Sequence, residues 1–274
     1  MARLSISKAW DETRATLAED GKLLATVAAA MFLLPQVVVG LVSGQGADAA
    51  ADPSGLQLAL MAIAGVIGLV GQLAIAWMAI RSGASVGESI GQAFGRALPF
   101  IGAMLLIIFG FVLLFIVLAM LLMLVGAVDV SVQDARPRDV VIIMVAMFIP
   151  LLFVAVRLMP TVPVAAAEKL GPIGILKRSW ALTAGHFGRL VAFLLLFLVA
   201  ALVVAMAIGA IGGLLVSLLF GSAEPFSLGA LVLALLVGLL QAALVVVYVV
   251  MLARIYVQLA GDGEAEASVP TSGS

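Results

Sequence analysis

Six long apolar stretches dominate this 274-residue sequence, and each is long enough to cross a lipid bilayer. They run from Leu23 to Ser43, Leu58 to Ile80, Leu98 to Val125, Val140 to Met159, Leu190 to Phe220 and Leu228 to Ile255. A bilayer-spanning helix needs about 20 predominantly apolar residues, because each residue adds about 1.5 Å to its length. The sequence therefore predicts an all-α membrane protein with six transmembrane helices and no second soluble domain.

Composition excludes several classes of function. Hydrophobic residues make up 65% of the chain and charged residues only 11%, so most of the surface is expected to face lipid. A formal net charge of -1 gives no general attraction for nucleic acid. The chain has no cysteine, which excludes disulfide bonds and thiolate metal sites.

Basic residues lie almost entirely in the connections on one side of the predicted membrane. Of the 14 Lys and Arg residues, only Arg136 and Arg138 lie on the other side. Cytoplasmic loops carry an excess of Lys and Arg, so we expect both chain termini to be cytoplasmic. Residues 1–260 are expected to form a single polytopic membrane domain, followed by a flexible cytoplasmic tail over residues 261–274.

Short sequence matches before spans one, three and five indicate an internal repeat. The segments Ile6–Thr13 and Leu176–Thr183 share a small residue, Trp, two variable residues and Thr. The segment Phe94–Arg96 before span three matches Phe187–Arg189 before span five. The pattern predicts three hairpins of two transmembrane helices, each preceded by a cytoplasmic amphipathic helix.

A stripe of glycines lies ahead of span three, where every fourth residue is glycine at Gly83, Gly87, Gly91 and Gly95. Each helical glycine costs about 1 kcal/mol relative to alanine in water, unless another backbone approaches it closely. We therefore expect the stripe to pack against one of the chain's own spans, with a docking surface for a helix or for lipid headgroups as the alternative. A second predicted packing motif, Gly-x-x-x-Gly, is formed by Gly209 and Gly213.

Basic and tryptophan residues ahead of spans one and five predict a rim that contacts lipid. We expect anionic headgroups to be contacted by the basic side chains of Lys8, Arg14, Lys177, Arg178 and Arg189. Each basic side chain near an anionic bilayer is worth about 1 kcal/mol. Trp10 and Trp180 are expected at the headgroup level, which tryptophan favours. Membrane lipids are therefore the predicted partner.

The predicted spans contain few polar groups, and none of these is Asp or Glu. The chief ones are Gln36, Gln72 and Gln241, and an isolated glutamine in a membrane is usually a hydrogen-bonding link between helices. A transporter or lipid-handling protein is the alternative. It requires the three glutamines to converge on a cavity near a helix kink at Pro35 or Pro150.

Catalytic chemistry finds little support in the sequence. His186 is the single histidine, and no metal-binding or nucleophile motif surrounds it. We therefore expect no catalytic residue, no cofactor and no metal site. The predicted function is that of a non-catalytic membrane protein that organises lipids, another membrane protein or a second copy of itself, with no nucleic acid as partner.

Three segments of the sequence look like parts of a known family: Glu168–Thr183, Gly87–Phe100, and Tyr248–Leu259 with its Arg254–Tyr256 run. They resemble the YciC-type inner-membrane proteins of bacteria and are similar to the membrane domain fused to some glycerophosphodiester phosphodiesterases. The resemblance implies a six-span protein of the bacterial cytoplasmic (inner) membrane whose activity is uncharacterised. The soluble catalytic domain of the fused family is missing from this sequence, so the resemblance does not imply phosphodiesterase activity.

Reporter fusions test the predicted topology. Fusions at Ala50, Ser131 and Glu224 are expected to report the periplasm, and a fusion after Gly261 the cytoplasm, because basic loops stay inside. The measurement is the ratio between a reporter active only in the periplasm and one active only in the cytoplasm. A cytoplasmic signal at Ser131 would contradict the assignment first, since that loop carries the two outer arginines.

Overall fold

Six helical stretches in the computed structural model are long and apolar enough to span a membrane. They are Ile6–Val42, Gly55–Ile80, Val86–Leu124, Arg138–Ala167, Phe187–Phe220 and Leu228–Gly261. The structure describes residues 4–43, 54–81, 83–126, 137–221 and 226–267, and within these ranges it is helical with no strand. The chain is thus a multi-pass membrane protein, as the sequence predicts, and the predicted outer loops lie largely outside the described residues.

The helices are numbered in chain order as α1 (Ile6–Ala28), α2 (Leu34–Ser43), α3 (Gly55–Ile80), α4 (Val86–Leu124), α5 (Pro137–Arg157), α6 (Thr161–Ala167), α7 (Pro172–Leu182), α8 (Phe187–Phe220) and α9 (Leu228–Ala267). A π-helical turn at Ala29–Leu33 joins α1 to α2. The last helix continues past the predicted domain end at residue 260 as far as Ala267. The rest of the predicted tail lies outside the described residues.

Local sequence explains where several helices begin. Ser5, Ser54 and Ser85 cap α1, α3 and α4, and each hydroxyl accepts a hydrogen bond from the backbone N–H three residues later. Such caps satisfy one of the unpaired N–H groups at a helix start. Pro172 occupies the start of α7, where its fixed φ suits the helix and no N–H is needed.

The segments that precede the spans differ from the expected separate helices. Only α7 is a separate helix ahead of a span, while the segments before spans one and three are continuous with α1 and α4. Gly185, with φ +81°, breaks the chain between α7 and α8, a conformation that favours glycine. Pro99 is accommodated inside α4 without a break. The helix α3 also packs against α4 across two of the predicted hairpins, so the hairpins are not independent units.

The core lies at one end of the bundle. Nearly every residue from Val70 to Ala79 in α3 is buried, and α6 and the end of α9 pack around this segment. The most apolar part of α4, by contrast, contains no buried residue. The apolar side chains of α4, α5 and α8 are therefore mostly lipid-facing surface, while the buried end holds the helices together.

Close contacts between helices are made by glycines that the sequence patterns do not single out. A Cβ atom added at Gly71 would lie 2.6 Å from the Met31 Cβ and 2.8 Å from the Phe32 ring. At Gly40 it would lie 2.8 Å from the Ala234 Cβ. Carbon atoms in good non-bonded contact are about 3.5–4.0 Å apart, so only glycine fits at these positions. These contacts seat α2 and the π-helical turn against α3 and α9.

The structure does not show the close packing that was expected of the glycine stripe. No described atom outside the local helix lies within 4 Å of a Cβ added at Gly83, Gly87, Gly91, Gly95, Gly209 or Gly213. The helix α4 is buried instead through Ser89, Ala93, Phe100 and Ala103. These residues occupy another face of α4, so the stripe stays exposed.

Alanine substitutions at Gly71 and Gly91 are expected to change stability in opposite directions. Gly71→Ala forces α3 away from Met31, and overpacking of this kind costs about 1–3 kcal/mol. Gly91→Ala fills open space and raises helix propensity by up to about 1 kcal/mol. Thermal unfolding midpoints in the same detergent measure both effects. Equal midpoints for the two variants would contradict the tight contact at Gly71.

Candidate functional site

Glu168, directly after α6, is the centre of a group of polar contacts at the buried end of the bundle. One of its carboxylate oxygens accepts hydrogen bonds from Arg178 Nε on α7 and from Tyr256 Oη on α9, both at 2.9 Å. Hydrogen bonds to an ionised group are stronger than those between neutral groups. This carboxylate therefore links α6, α7 and α9 through a single atom.

Two arginines share one tryptophan beside this carboxylate. The guanidinium carbons of Arg81 and Arg96 lie 4.2 and 5.0 Å from the centre of the Trp77 ring. Arg96 also donates hydrogen bonds to the carbonyl oxygens of Ala165, at 3.3 Å, and Ala166. Carbonyls at a helix C-terminus lack intrahelical partners and carry partial negative charge. Arg96 thus connects α4 to α3 and to the end of α6.

Arg157, at the end of α5, is held by three aromatic rings. Its guanidinium carbon lies 5.4 Å from the Phe153 ring centre, 5.2 Å from that of Trp180 and 5.9 Å from that of Phe187. Cations within about 6 Å of a ring centre are attracted to its face. The neighbouring His186 is the residue just before α8, and its Nδ1 lies 3.3 Å from the carbonyl oxygen of Ala184.

The first helix joins the same end of the bundle through α8 and α9. Arg189 on α8 donates a hydrogen bond to the Leu4 carbonyl at 3.2 Å. Arg254 on α9 donates from Nε to the Thr16 hydroxyl at 3.1 Å. These contacts complete what we call the polar layer, whose members are Trp77, Arg96, Arg157, Glu168, Arg178, Arg189, Arg254 and Tyr256.

An apolar groove of about 420 Å³ opens beside the polar layer, between α1, α8 and α9. Ile6 and Trp10 form one wall, Phe193 and Phe197 another, and all of its lining residues are apolar or aromatic. Arg189 is not one of the lining residues, but it precedes Phe193 by one helical turn, and its hydrogen-bond partner Leu4 precedes Ile6 by two residues, so it lies near one end of the groove. A second groove of about 260 Å³, between α1, the π-helical turn and α9, shares a lining residue with the first. We call the first of these the α1–α8 groove.

The structure brings together only part of the predicted lipid rim. Trp10 lines the α1–α8 groove and is 47% exposed, and Arg189 lies one helical turn before the groove-lining Phe193. Arg178 belongs to the polar layer, and Trp180 contacts Arg157 of that layer while remaining 42% exposed. The three remaining basic residues are exposed on the surface without a role in the groove: Lys8, Arg14 and Lys177.

The three span glutamines surround one cavity of about 300 Å³, which we call the glutamine cavity. Gln36 comes from α2, Gln72 from α3 and Gln241 from α9, and Pro35 lines the same space. Pro150, the other predicted kink, lies in α5 and does not line it. Among the described residues, none of the three amide side chains has a hydrogen-bond partner, and no charged residue lines the cavity.

A further cavity of about 440 Å³ lies between α4 and α7 at the polar layer. Arg96, Glu168 and the exposed Lys169 line it. The first two side chains are already engaged by carbonyl oxygens and by the Arg178 and Tyr256 donors. Two basic side chains and one carboxylate therefore line this space, and the carboxylate is already paired with Arg178.

The sequence patterns miss the contacts that assemble the polar layer. Glu168 and Tyr256 are 88 positions apart, and Arg254 and Thr16 are 238 positions apart. No local periodicity connects residues at such separations. The one available signal is that Glu168, Arg178, Arg254 and Tyr256 lie inside the segments that carry the family resemblance.

Comparison with known proteins supplies a family but no activity. No curated protein matches the chain, and no solved structure matches it. These comparisons do not show the YciC-type or phosphodiesterase-fused families. The profile of the domain of unknown function DUF7847 matches residues 4–259, a range that includes the polar layer, the α1–α8 groove and the glutamine cavity. The chain therefore belongs to the DUF7847 family.

Proposed function

We propose that this protein binds an anionic phospholipid at the α1–α8 groove and organises its lipid environment without catalysing a reaction. The observation that carries the proposal is an apolar groove of acyl-chain character that begins one helical turn beyond Arg189, whose guanidinium bonds to the Leu4 carbonyl near the same end. The groove supplies the shape for a chain, and the arginine supplies the charge for a phosphate.

The groove recognises a lipid chain by shape. Lipid tails are as apolar as leucine, so an apolar wall gains no hydrophobic free energy by exchanging one tail for another. An unfilled groove would nevertheless lose van der Waals contacts along its walls. The two grooves beside α9, which share a lining residue, offer about 420 and 260 Å³ of such space, which suits a lipid with two chains.

Selectivity for charge comes from Arg189, near one end of the groove. Arg189 uses one N–H for the Leu4 carbonyl, and a guanidinium carries five N–H donors, so others remain for a phosphate. Trp10, on the wall of the same groove, is half-exposed, as expected for a ring at the headgroup level. The exposed Lys8, Arg14 and Lys177 add attraction of about 1 kcal/mol each toward an anionic surface.

The proposed orientation places the polar layer at the cytoplasmic face of a bacterial inner membrane, with both termini in the cytoplasm. Its support is the convergence of arginines from α4, α5, α7, α8 and α9 at one end of the bundle. An excess of basic residues is typical of the cytoplasmic side.

The glycine stripe, which begins at Gly83 just before α4 and continues along its exposed face, is our proposed contact for a partner helix. The partner helix would come from another membrane protein or from a second copy of this chain.

The proposed absence of catalysis rests on the chemistry of the polar side chains. The sequence holds one histidine and no cysteine, and the ionised groups of the polar layer form bonds that join helices. A nucleophile beside a positioned base is the minimum for covalent catalysis. We therefore assign binding, rather than turnover, to Arg189 and the α1–α8 groove.

Charge reversal at Arg189 tests the headgroup contact. Arg189→Glu is expected to retain at least about tenfold less phosphatidylglycerol than the unchanged protein after mild delipidation, because hydrogen bonds to charged groups contribute about 1.5–3 kcal/mol and about 1.4 kcal/mol is a tenfold change. Retention of a zwitterionic lipid is expected to change little. Native mass spectrometry measures both. The matched control is Arg138→Glu, the same substitution at the opposite end, and equal losses in the two variants would refute the assignment.

Filling the groove tests the chain contact separately. Ala201 lines the groove, and Ala201→Phe is expected to lower retention of phospholipids irrespective of headgroup, by occupying the space of an acyl chain. Ala210→Phe, an exposed position further along α8, is the control. The same native mass spectra report the result. Unchanged retention in Ala201→Phe would remove the groove from the proposal.

A further inference from the structure

The glutamine cavity carries an inference beyond the anionic lipid site. We infer that it binds the uncharged, oxygen-bearing head group of a second amphiphile, one whose polar part is a carbonyl or hydroxyl group. The site is built by α2, α3 and α9, whereas the α1–α8 groove is built by α1, α8 and α9.

The hydrogen-bonding capacity of the cavity is unused within the described chain. Gln36, Gln72 and Gln241 each carry an amide with two N–H donors and one carbonyl acceptor. None of these side chains bonds to a described residue, although all three line the same space. Polar groups in the hydrocarbon region have no bulk water to satisfy them. The cavity therefore favours a ligand that accepts, and also donates, hydrogen bonds.

The cavity lies deep in the predicted membrane. Gln241 is 13 residues, or about 20 Å, from both Leu228 at the start of α9 and Arg254 in the polar layer. Met61 and Gly65 line the cavity on the exposed surface of α3. A ligand therefore reaches the glutamines from the surrounding lipid, which requires it to be soluble in the bilayer.

The lining excludes a charged head group. No described Lys, Arg, Asp or Glu lines the cavity, and an unpaired charge at this depth is costly. The remaining walls are apolar and include the Phe32 ring. A volume of about 300 Å³ lies at the small end of ligand pockets. These properties fit a quinone ring or the glycerol head of a diacylglycerol, which share neutral oxygen atoms on an apolar body.

The walls of the cavity are held in place by close packing. Gln36 lies over Gly238, where an added Cβ would be 3.6 Å from the Gln36 Cβ. The Phe32 ring, which also lines the cavity, packs closely against Gly71 of α3. Pro35 and the π-helical turn interrupt regular α-helix at the same level, and single π-helical turns within α-helices are frequent at functional sites. The backbone that carries Gln36 is thus held against α3 and α9 beside the cavity.

Photoaffinity labelling in phosphatidylcholine nanodiscs tests the inference, with a diazirine diacylglycerol and a diazirine quinone as separate probes. At least one probe is expected to label peptides of α2, α3 or α9. The Gln72→Met, Gln241→Met double variant is expected to lower this labelling about tenfold, because each lost hydrogen bond reduces affinity severalfold. Gln92→Met, at an exposed position near the polar layer, is the matched control and is expected to label normally.

The probe that labels identifies the source of the neutral head group. Excess phosphatidylglycerol is expected not to compete, whereas competition by it would overturn the inference. Equal labelling of the double variant, labelling by neither probe, or cross-linking of these peptides to a second copy would also overturn it. If thermal unfolding shows that the double variant does not fold, Gln36→Met replaces it under the same criteria.

Discussion

The shared oxygen of Glu168 and the arginines around it hold this bundle together. Helices in a membrane gain no hydrophobic free energy from packing against one another, so polar contacts and close backbone approach must supply the specificity. The polar layer concentrates these contacts at one end, where Glu168, Arg178 and Tyr256 join three helices and Arg96 joins three. Because each arginine of the layer has an aromatic ring, a carboxylate, a hydroxyl or a backbone carbonyl as its partner, the layer carries many charges without leaving them isolated.

Because the polar contacts are concentrated at one end of the bundle, the helices pack tightly against one another there and are more exposed elsewhere. Residues Val70–Ala79 of α3 are almost all buried, whereas the most apolar part of α4 contains no buried residue. The outer halves of several helices therefore complete their packing with lipid. The two proposed ligand sites follow the same division: a charged head group at the polar layer beside Arg189, and a neutral one among the glutamines at mid-depth.

The sequence patterns predict the spans well, because length and hydropathy alone determine what crosses a bilayer. They also raise the convergence of Gln36, Gln72 and Gln241 as an alternative, and the structure places all three at one cavity. They fail on which helix face packs. Gly91 and Gly71 are both glycines in apolar helices, and the sequence does not distinguish them. In the structure Gly91 faces open space, whereas Gly71 is in contact with Phe32. Periodicity shows which residues share a face, but in a membrane both lipid and protein accept an apolar face.

The π-helical turn at Ala29–Leu33 determines which neighbouring helices are faced by the residues that follow it in the first span. Such a turn contains one residue more than regular α-helix, and each residue rotates a helix by about 100°. Deletion of a single residue there would swing Gln36 out of its cavity and carry Gly40 away from Ala234, while leaving hydropathy unchanged. In this span a change in chain length of one residue is therefore more disruptive than most changes of side chain.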